Sequence, residues 1–169
     1  MSSCVISSPF GDMQLEASSR GLTALTLLDK SGTVSKDIPL TLQATVAQLA
    51  EYFAGDRTVF DLRIDYSGLP AFQVEVLKVV RTIPYGRTRT YAQIARHLDN
   101  PKAARAVGRA NGSNPLPIII PCHRVIGAKG ALTGYALGLP MKKQLLCLEN
   151  PTTYQPQINL FDLPKEARA

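Results

Sequence analysis

A proline-braced segment constrains the fold of this chain more than any other stretch. It reads Pro115-Leu-Pro-Ile-Ile-Ile-Pro-Cys-His-Arg-Val125. Each proline fixes φ and removes a backbone hydrogen-bond donor, which disfavours a helix and favours a stiff, extended run. The run ends in Cys122, and His123 follows it directly. The sequence therefore predicts a cysteine held in one place beside an imidazole, and a fixed nucleophile is more effective than a mobile one.

The pairing of Cys122 with His123 supports two interpretations. In the first, the cysteine reacts: only the thiolate is a good nucleophile, and a free thiol with a pKa of about 8.5 is mostly protonated at neutral pH. His123 and Arg124 would supply a proton acceptor and a positive charge. In the second, the isoleucines at 118–120 form a core strand that ends in a small buried thiol. Neighbours in sequence need not touch in space, so the pair alone does not decide between them.

The cysteines and histidines exclude several kinds of site. Three cysteines, Cys4, Cys122 and Cys147, leave one unpaired in any disulfide scheme and show no CxxC spacing. The two histidines, His97 and His123, stand in no Cys/His cluster. We therefore predict no metal site and no cofactor, with reduced thiols in a reducing compartment.

No stretch of the sequence is typical of a membrane anchor or a secretion signal. No apolar run approaches the roughly 18–20 residues of a membrane span, and the first residues lack a basic region followed by an apolar one. At 169 residues with 45% hydrophobic content, the chain can form one domain or two small ones. We therefore predict a soluble, cytoplasmic protein.

The charge of the chain is unevenly distributed. Its net charge is +6, but residues 1–66 hold five Lys or Arg and eight Asp or Glu, a balance of −3. The remaining residues therefore carry +9, in the half that contains Cys122. Such an excess of positive charge favours a polyanionic partner for the second half, most simply nucleic acid. The alternative is a solvated basic face without a partner.

The first half predicts a small antiparallel sheet with one helix. Apolar and polar residues alternate around turn signals at 4–17 and again at 21–28, which predicts three strands. Helical spacing of apolar residues at 41–53 predicts a helix, and the alternation at 59–65 predicts a further strand. Serine, glycine and proline at 67–71, where the charge also changes sign, predict a linker.

The second half predicts a mostly helical domain, so the fold class is α+β. Apolar spacing predicts helices at residues 72–81, 88–98, 102–110 and 139–149, with a glycine-rich, hairpin-like stretch at 125–135. We divide the chain into an N-terminal domain, a linker, a second domain and a loosely packed C-terminal tail, at residues 1–66, 67–71, 72–150 and 151–169.

The two short helices at 88–98 and 102–110 have the outline of a helix-turn-helix. The second is rich in alanine, and small side chains such as Ala104 offer nothing to hydrogen-bond with base edges, so we expect little sequence preference. Arg105 and Arg109 lie four residues apart on one face, where one could enter the base stack while the other holds a phosphate. The alternative is two solvated arginines.

Several motifs, in order along the chain, closely resemble those of the O6-alkylguanine-DNA alkyltransferases, also called methylated-DNA–protein-cysteine methyltransferases. They cover about residues 72–149, and the first half matches only in length and in its Tyr52-Phe-Ala-Gly55 segment. The motifs are Ile83-Pro-Tyr-Gly86, Thr90-Tyr91, Ala103-Ala-Arg-Ala-Val-Gly108, Asn114-Pro-Leu-Pro117 and Pro121-Cys-His-Arg-Val125. Agreement across spaced motifs is far more specific than any single motif, and it favours the reactive interpretation of Cys122.

The resemblance implies both a fold and a reaction. The fold is a small N-terminal domain with a ribonuclease H-like antiparallel sheet and a helix, then a mostly helical domain with a winged helix-turn-helix and the active-site cysteine. The protein would flip O6-alkylguanine, and O4-alkylthymine, out of duplex DNA and transfer the alkyl group irreversibly to Cys122, once per molecule. It would act as a monomer in the minor groove with little sequence preference, while cooperative binding to DNA is left open.

The resemblance also implies roles in the chemistry. Cys122 is the acceptor, His123 draws the thiol proton through a water molecule, and Glu149 orients the imidazole. Tyr91 helps to turn the base out and is our candidate for the proton donor to the leaving guanine. Asn114 ties the helix-turn-helix to the active-site segment.

Other residues are implied to bind DNA and the flipped base. Arg105 takes the place of the flipped nucleotide, and the alanine-rich helix with Ala104 and Arg109 enters the minor groove. Four residues are implied at the guanine pocket, with the last near its edge, and these are Tyr135, Val125, Ala136 and Lys142.

Two other functions stay open. A damage-marking protein would flip alkylguanine and recruit other repair factors, but known proteins of that kind lack an acceptor such as Cys122. A cysteine hydrolase or acyltransferase that used Cys122 and His123 would turn over many times. The number of groups transferred per chain separates the three functions.

Overall fold

The computed structural model describes residues 1–29 and 32–154, which form an N-terminal sheet and helix followed by a group of helices. In chain order the regular elements are β1 (Ser2–Ile6), β2 (Met13–Ser18), β3 (Gly21–Leu27), α1 (Leu40–Ala54), α2 (Ala71–Arg81), β4 (Arg89–Thr90), α3 (Tyr91–His97), α4 (Ala104–Gly112), β5 (Val125–Ile126) and α5 (Leu139–Glu149). Short 3₁₀ turns lie at Pro101–Ala103, Cys122–Arg124 and Ala128–Gly130. The predicted α+β class is confirmed.

The first three strands form an antiparallel sheet in the order β1-β2-β3. Cys4 lies opposite Leu15, and Leu15 lies opposite Leu25, so the apolar positions of the three strands meet on one face. That face is buried, and in β1 and β2 its residues recur at every second position, because side chains alternate between the two faces of a strand. In β3 the buried Leu22 and Leu25 are three residues apart, and a register shift between Glu16 and Ala17 brings Ala17 opposite Leu22. Helix α1 packs against β1 and β2.

Helix α1 links the sheet to the second half of the chain. It ends at Gly55, whose φ of 83° lies in the left-handed region that glycine adopts without strain. Leu42, Leu49 and Tyr52 are fully buried and recur at helical spacing along one stripe. Tyr52 lies at the end of this stripe, and its hydroxyl reaches Glu149 of α5.

Helices α2, α3 and α4 pack against one another with the outline of a helix-turn-helix. Thr90 caps α3: its hydroxyl accepts from the Gln93 amide at 3.2 Å, and the Gln93 side chain accepts from the Thr90 amide at 2.8 Å. Helix α4 begins at Ala104, two residues later than predicted, because Pro101 opens a 3₁₀ turn before it.

The strand predicted at 59–65 is wrong. Only Ile64 bridges to β3, opposite Leu22. The Leu22 amide donates to the Arg63 carbonyl at 2.9 Å, and the Asp65 amide donates to the Leu22 carbonyl at 2.8 Å. The alternation of the sequence is real, but the backbone pairs with β3 over too short a distance to form a strand.

The hairpin predicted at 125–135 is also wrong. Strand β5 pairs in parallel with β4, with Val125 opposite Arg89. The residues after it turn instead of returning antiparallel, because the Gly127 amide donates to the Ala131 carbonyl at 2.7 Å and Lys129 has a φ of 57°. The glycines that suggested a hairpin therefore form part of a tight loop.

The proline-braced segment turns between its prolines and is not extended throughout. Ile118 has a φ of 75°, and the Ile120 amide donates to the Leu116 carbonyl at 2.9 Å. A β-branched residue at positive φ is strained, and it persists here because Ile118 is completely buried. The alternative interpretation, a core strand at 118–120, is wrong, although these isoleucines do lie in the core.

The predicted domain limits at residues 66, 71 and 150 stay predictions. Helix α5 is confirmed at residues 139–149, with Pro140 in its first turn. After it the Tyr154 amide donates to the Asn150 carbonyl at 3.0 Å, and the rest of the predicted tail, residues 155–169, lies outside the described residues. In the described part of the chain, none of the helices combines the length and apolar character that crossing a membrane requires.

Replacing Gly21 with Ala should destabilise the fold. Gly21 has a φ of 150°, and a Cβ on it would come within 2.6 Å of the Arg63 carbonyl oxygen. We expect a loss of about 1–3 kcal/mol in the free energy of unfolding, measured by urea denaturation. Gly112→Ala is the control, because nothing lies within 4 Å of a Cβ at this helical position. Equal stability of the two variants would contradict the prediction.

Candidate active site and DNA-binding face

Cys122 is buried at the start of a 3₁₀ turn, directly after Pro121, with 2% of its surface exposed. Its amide donates to the Ile120 carbonyl at 2.7 Å. Its carbonyl accepts from the side-chain amide of Asn111 at 3.3 Å. Because Asn111 belongs to α4, the helix that carries Arg105 also holds the backbone of the cysteine.

Asn114 connects the end of α4 to the same turn. Its Nδ2 donates to the Ile120 carbonyl at 2.9 Å, and its Oδ1 accepts from the Leu116 amide at 3.0 Å. These bonds satisfy backbone groups of a buried, irregular segment that has no regular secondary structure to pair with. Asn114 therefore fixes the path of the chain into Cys122.

The environment of the Cys122 thiol contains opposing effects on its pKa. Burial raises the pKa, while the Asn114 side chain, the charge of Lys142 and the Tyr135 hydroxyl lower it. The Tyr135 hydroxyl lies near the sulfur without meeting the geometry of a hydrogen bond. Burial dominates, so the thiol is protonated in the resting protein and needs a proton acceptor before it can react.

His123 and Arg124 converge on the carboxylate of Glu149. The His123 Nε2 lies 2.7 Å from Oε1, the Arg124 Nε donates to Oε2 at 2.8 Å, and the Arg124 Nη2 donates to Oε1 at 2.9 Å. All three side chains are buried. The bidentate contact with arginine is the geometry in which a guanidinium binds a carboxylate most strongly.

These contacts determine the protonation states of Glu149 and His123. Burial alone would raise the pKa of Glu149, but hydrogen bonds and charge from His123 and Arg124 lower it to about 2, so the carboxylate is ionised. Burial lowers the pKa of His123 and keeps the imidazole neutral at pH 7, although Glu149 opposes this. With its proton on Nε2 facing the carboxylate, the ring leaves Nδ1 as a free acceptor. Nδ1 is buried and has no hydrogen-bond partner among the described residues.

Two further donors to Glu149 were not predicted as site residues. The Tyr52 hydroxyl donates to Oε1 at 2.7 Å, and the Gly86 amide donates to Oε2 at 3.2 Å. Gly86 has a φ of 71°, and a Cβ there would come within 2.9 Å of the Glu149 carbonyl oxygen, so the close approach requires glycine. Both residues belong to quoted motifs, Tyr52-Phe-Ala-Gly55 and Ile83-Pro-Tyr-Gly86, which were the available signal.

Lys142, which was expected near the edge of the guanine pocket, lies inside the protein. Its side chain is completely buried, and Nζ donates to the Val125 carbonyl at 2.6 Å and to the Thr133 carbonyl at 2.8 Å. Burial lowers its pKa to about 8, and the charge of Cys122 opposes that shift. Lys142 therefore joins β5 to the following loop and places an ammonium group within reach of the thiol.

The other predicted pocket residues differ in their surroundings. Val125 is buried, and its carbonyl accepts the bond from Lys142. The Tyr135 hydroxyl is buried, and burial together with the charge of Cys122 raises its pKa, so the phenol stays protonated. Ala136 is exposed. The guanine pocket that these residues would form stays a prediction.

The predicted DNA-binding residues lie on the α3–α4 face. The Tyr91 hydroxyl donates to the Thr133 carbonyl at 3.2 Å, and its ring lies beside Gly108. Arg105 and Arg109 are exposed on α4, and neither forms an ion pair within residues 1–29 and 32–154. Ala104 is half-buried at the start of the same helix. The face combines small side chains with unpaired positive charge.

Comparisons with known proteins identify the family. The ribonuclease-like domain of 6-O-methylguanine DNA methyltransferase matches residues 2–66, and the DNA binding domain of that family matches residues 71–151. A methylated-DNA–protein-cysteine methyltransferase of Mycolicibacterium paratuberculosis is 44% identical over 162 residues, which are 93% of this chain and 96% of that protein. The chain belongs to the methylated-DNA–protein-cysteine methyltransferase family. It is a DNA-repair methyltransferase with a DNA-binding domain.

Two more members of the methylated-DNA–protein-cysteine methyltransferase family show how far the similarity extends. One from Methanosarcina acetivorans is 43% identical over 152 residues, covering 86% of this chain and 96% of its own. The crystal structure of Mycobacterium tuberculosis OGT in complex with DNA has a TM-score of 0.77 and 48% identity, covering 86% of this chain and 90% of that one. The similarity therefore extends over both halves of this methyltransferase.

Replacing Lys142 with Met should raise the pKa of Cys122. A nearby positive charge stabilises the thiolate, so its removal disfavours ionisation of the thiol. We expect the midpoint of the pH profile for alkylation of Cys122 by iodoacetamide to move up by about one unit, as measured by peptide mass mapping.

Lys143→Met is the matched control, because it makes the same change of charge at the next position, where the side chain is only half-buried. Altered access to the sulfur would change the rate at every pH without moving the midpoint. An unmoved midpoint in Lys142→Met, or the same movement in Lys143→Met, would show that the ammonium does not act on the thiol.

Proposed function

We propose that this methyltransferase removes the alkyl group from O6 of guanine in duplex DNA and keeps it on Cys122. The observation that carries the proposal is the free Nδ1 of a neutral His123, held by Glu149 beside a buried, protonated thiol. A nucleophile, a base and a group that orients the base are the parts that nucleophilic catalysis requires.

The reaction is a single displacement. His123 Nδ1 takes the proton of Cys122 through a water molecule, and Lys142 stabilises the thiolate that forms. The sulfur attacks the alkyl carbon, so a C–S bond forms while the C–O bond to the base breaks and its electron pair returns to guanine. The leaving guanine takes a proton, for which we propose Tyr91 as donor; burial raises the pKa of its phenol, which is therefore protonated at neutral pH.

The product explains why each molecule would act once. A thioether on Cys122 has no ready hydrolytic exit, unlike the thioester that an acylated cysteine would carry. The protein would therefore be consumed in the reaction, one alkyl group for each chain. The same attack applies to an alkyl group on O4 of thymine, which we include in the proposed substrates.

A buried acceptor requires the base to leave the DNA stack. Cys122 is 2% exposed, so a base inside a duplex cannot reach it. We propose that α4 enters the minor groove, where Ala104 permits close approach, Arg105 replaces the flipped nucleotide and Arg109 binds phosphate. Tyr91 crowds the backbone of the flipped nucleotide.

The flipped base would enter a pocket close to Cys122. Tyr135 forms one wall, and the backbone around Val125 and Ala136 supplies hydrogen-bonding groups to the guanine edge. Lys142 holds this backbone through its two carbonyl contacts. We propose binding as a monomer, with affinity that falls with added salt and depends little on DNA sequence.

Incubation with excess duplex DNA carrying one O6-methylguanine should add a single methyl group to each chain. Intact mass measures the gain, and peptide mapping should place it on Cys122. The Cys122→Ala variant should gain nothing. Tight binding without a gain of mass would favour a damage-marking protein, and product release over many turnovers would favour a hydrolase or acyltransferase.

Replacing Arg105 with Ala should slow repair in duplex DNA by about 10- to 100-fold, because the variant loses the group that fills the gap left by the flipped base. Reaction with free O6-alkylguanine should be unaffected, since no base has to leave a stack. Single-turnover rates on both substrates test this. Arg63→Ala, an exposed arginine in the first half of the chain, is the control for charge. Equal losses on both substrates would contradict the role of Arg105.

A further inference from the structure

Tyr52 connects the N-terminal half of the chain with the active site. Tyr52, in the last turn of α1, donates its hydroxyl to Oε1 of Glu149 at 2.7 Å, across 97 residues of sequence. Tyr52 is completely buried, so water does not compete for this bond.

Tyr52 binds the oxygen that faces His123. Oε1 of Glu149 lies within 2.7 Å of the His123 Nε2 and accepts from the Arg124 Nη2 at 2.9 Å as well as from Tyr52. A carboxylate oxygen offers about two lone pairs, so three donors must share them. Each donor therefore weakens the bond that the others make to the same oxygen.

The position of the tyrosine is fixed by its ring. The ring packs edge-on against Phe53 and Tyr85, at centroid distances of 5.6 and 6.1 Å, and lies 5.3 Å from Phe60. The hydroxyl cannot turn away from Glu149 without disturbing this aromatic cluster. A phenylalanine at position 52 would keep the cluster and remove only the hydroxyl.

We propose that Tyr52 is a positioning residue for alkyl transfer: its hydroxyl takes up part of the negative charge of Glu149 and thereby limits how strongly the carboxylate holds a second proton on His123. This inference rests on the proposed function, in which His123 must be neutral to accept the thiol proton. It gives the N-terminal half of the chain a part in the chemistry.

Among the groups around His123, Glu149 has the main part in favouring protonation of the imidazole. The charged groups that act on the imidazole are Glu149 and Lys142 from α5 and Arg124 from its own turn. Cys122 precedes it in that turn, and Tyr52 from α1 and Tyr85 from the loop after α2 interact with Glu149 and Arg124. Burial, Arg124 and Lys142 all disfavour the imidazolium, and Glu149 favours it. A change in the hydrogen bonds of Glu149 therefore alters the one strong interaction that favours protonation of His123.

Replacing Tyr52 with Phe should raise the pKa of His123. Without the tyrosine donor, Oε1 concentrates its charge on the imidazole N–H and stabilises the imidazolium. We expect a rise of about 0.5 to 1 unit, followed by NMR titration of the histidine ring signals. The chain has two histidines, and His97 is exposed on α3, so His97 serves as an internal reference that should not move.

The acidic limb of the rate of alkyl transfer from free O6-benzylguanine should move up in pH by the same amount. A purely structural role for Tyr52 would lower stability and leave both pH profiles in place. Tyr85→Phe is the matched control, because the Tyr85 hydroxyl binds the Leu148 carbonyl at 3.3 Å and its ring lies in the same cluster. An unchanged or lowered pKa of His123 in Tyr52→Phe, or an equal rise in Tyr85→Phe, would overturn the proposal.

A second variant tests the role of Tyr52 if Tyr52→Phe does not fold. Site-specific 3-fluorotyrosine at position 52 keeps the hydroxyl and makes it a stronger donor, so the pKa of His123 should fall. No fall would overturn the proposal. The NMR titration needs no alkyl transfer, so a wild-type protein that gains no alkyl group overturns the proposed function, whereas an unmoved His123 in an active protein overturns only the role of Tyr52.

Discussion

The buried carboxylate of Glu149 is the group on which the rest of the site depends. An ionised carboxylate away from water is very unfavourable unless hydrogen bonds surround it. Its donors come from three separate parts of the chain: Tyr52 in α1, Gly86 in the loop before β4, and the turn that holds His123 and Arg124. The ionised carboxylate is therefore stable only when these three parts of the chain are packed together. The fold is therefore a condition for the chemistry, and the α1 helix belongs to the site as much as the helices that carry DNA-binding residues.

The two anions of the site, the carboxylate of Glu149 and the thiolate of Cys122, have separate cationic partners. Arg124 binds Glu149 through two bonds, so the carboxylate can orient His123 without requiring a proton on the imidazole. Lys142 is left to stabilise the thiolate of Cys122, and its two carbonyl contacts hold it there. If a single cation bound both anions, stronger binding to the carboxylate would reduce the stabilisation of the thiolate. Their separation lets the imidazole stay neutral before the reaction, and it leaves the thiolate a cationic partner once the thiol has lost its proton.

Sequence reasoning succeeded where the signal was local. The alternation of β1 and β2 and the helical spacing of α5 depend on neighbours a few residues apart, and all three elements are present. It failed where the partner was distant: β5 pairs with β4 far upstream, so a glycine-rich stretch after Val125 looked like a hairpin. For the site, the motif resemblance indicated Cys122 and included Tyr52, but nothing in the sequence connected this tyrosine with Glu149, because their bond spans 97 residues. No spacing rule connects a tyrosine in one half to a carboxylate in the other.

Burial of Cys122 is consistent with the proposed reaction, in which each molecule acts once. An exposed, ionised thiol would react with any electrophile in solution, and each such event would consume a molecule. Cys122 is protected in two ways, since little of it is accessible and burial raises its pKa. Activation must then come from inside the protein, and His123 can supply it only while Nδ1 remains unprotonated. A base kept weak by burial, Arg124 and Lys142 therefore suits the proposed mechanism, in which Cys122 stays unreactive until a flipped base reaches it.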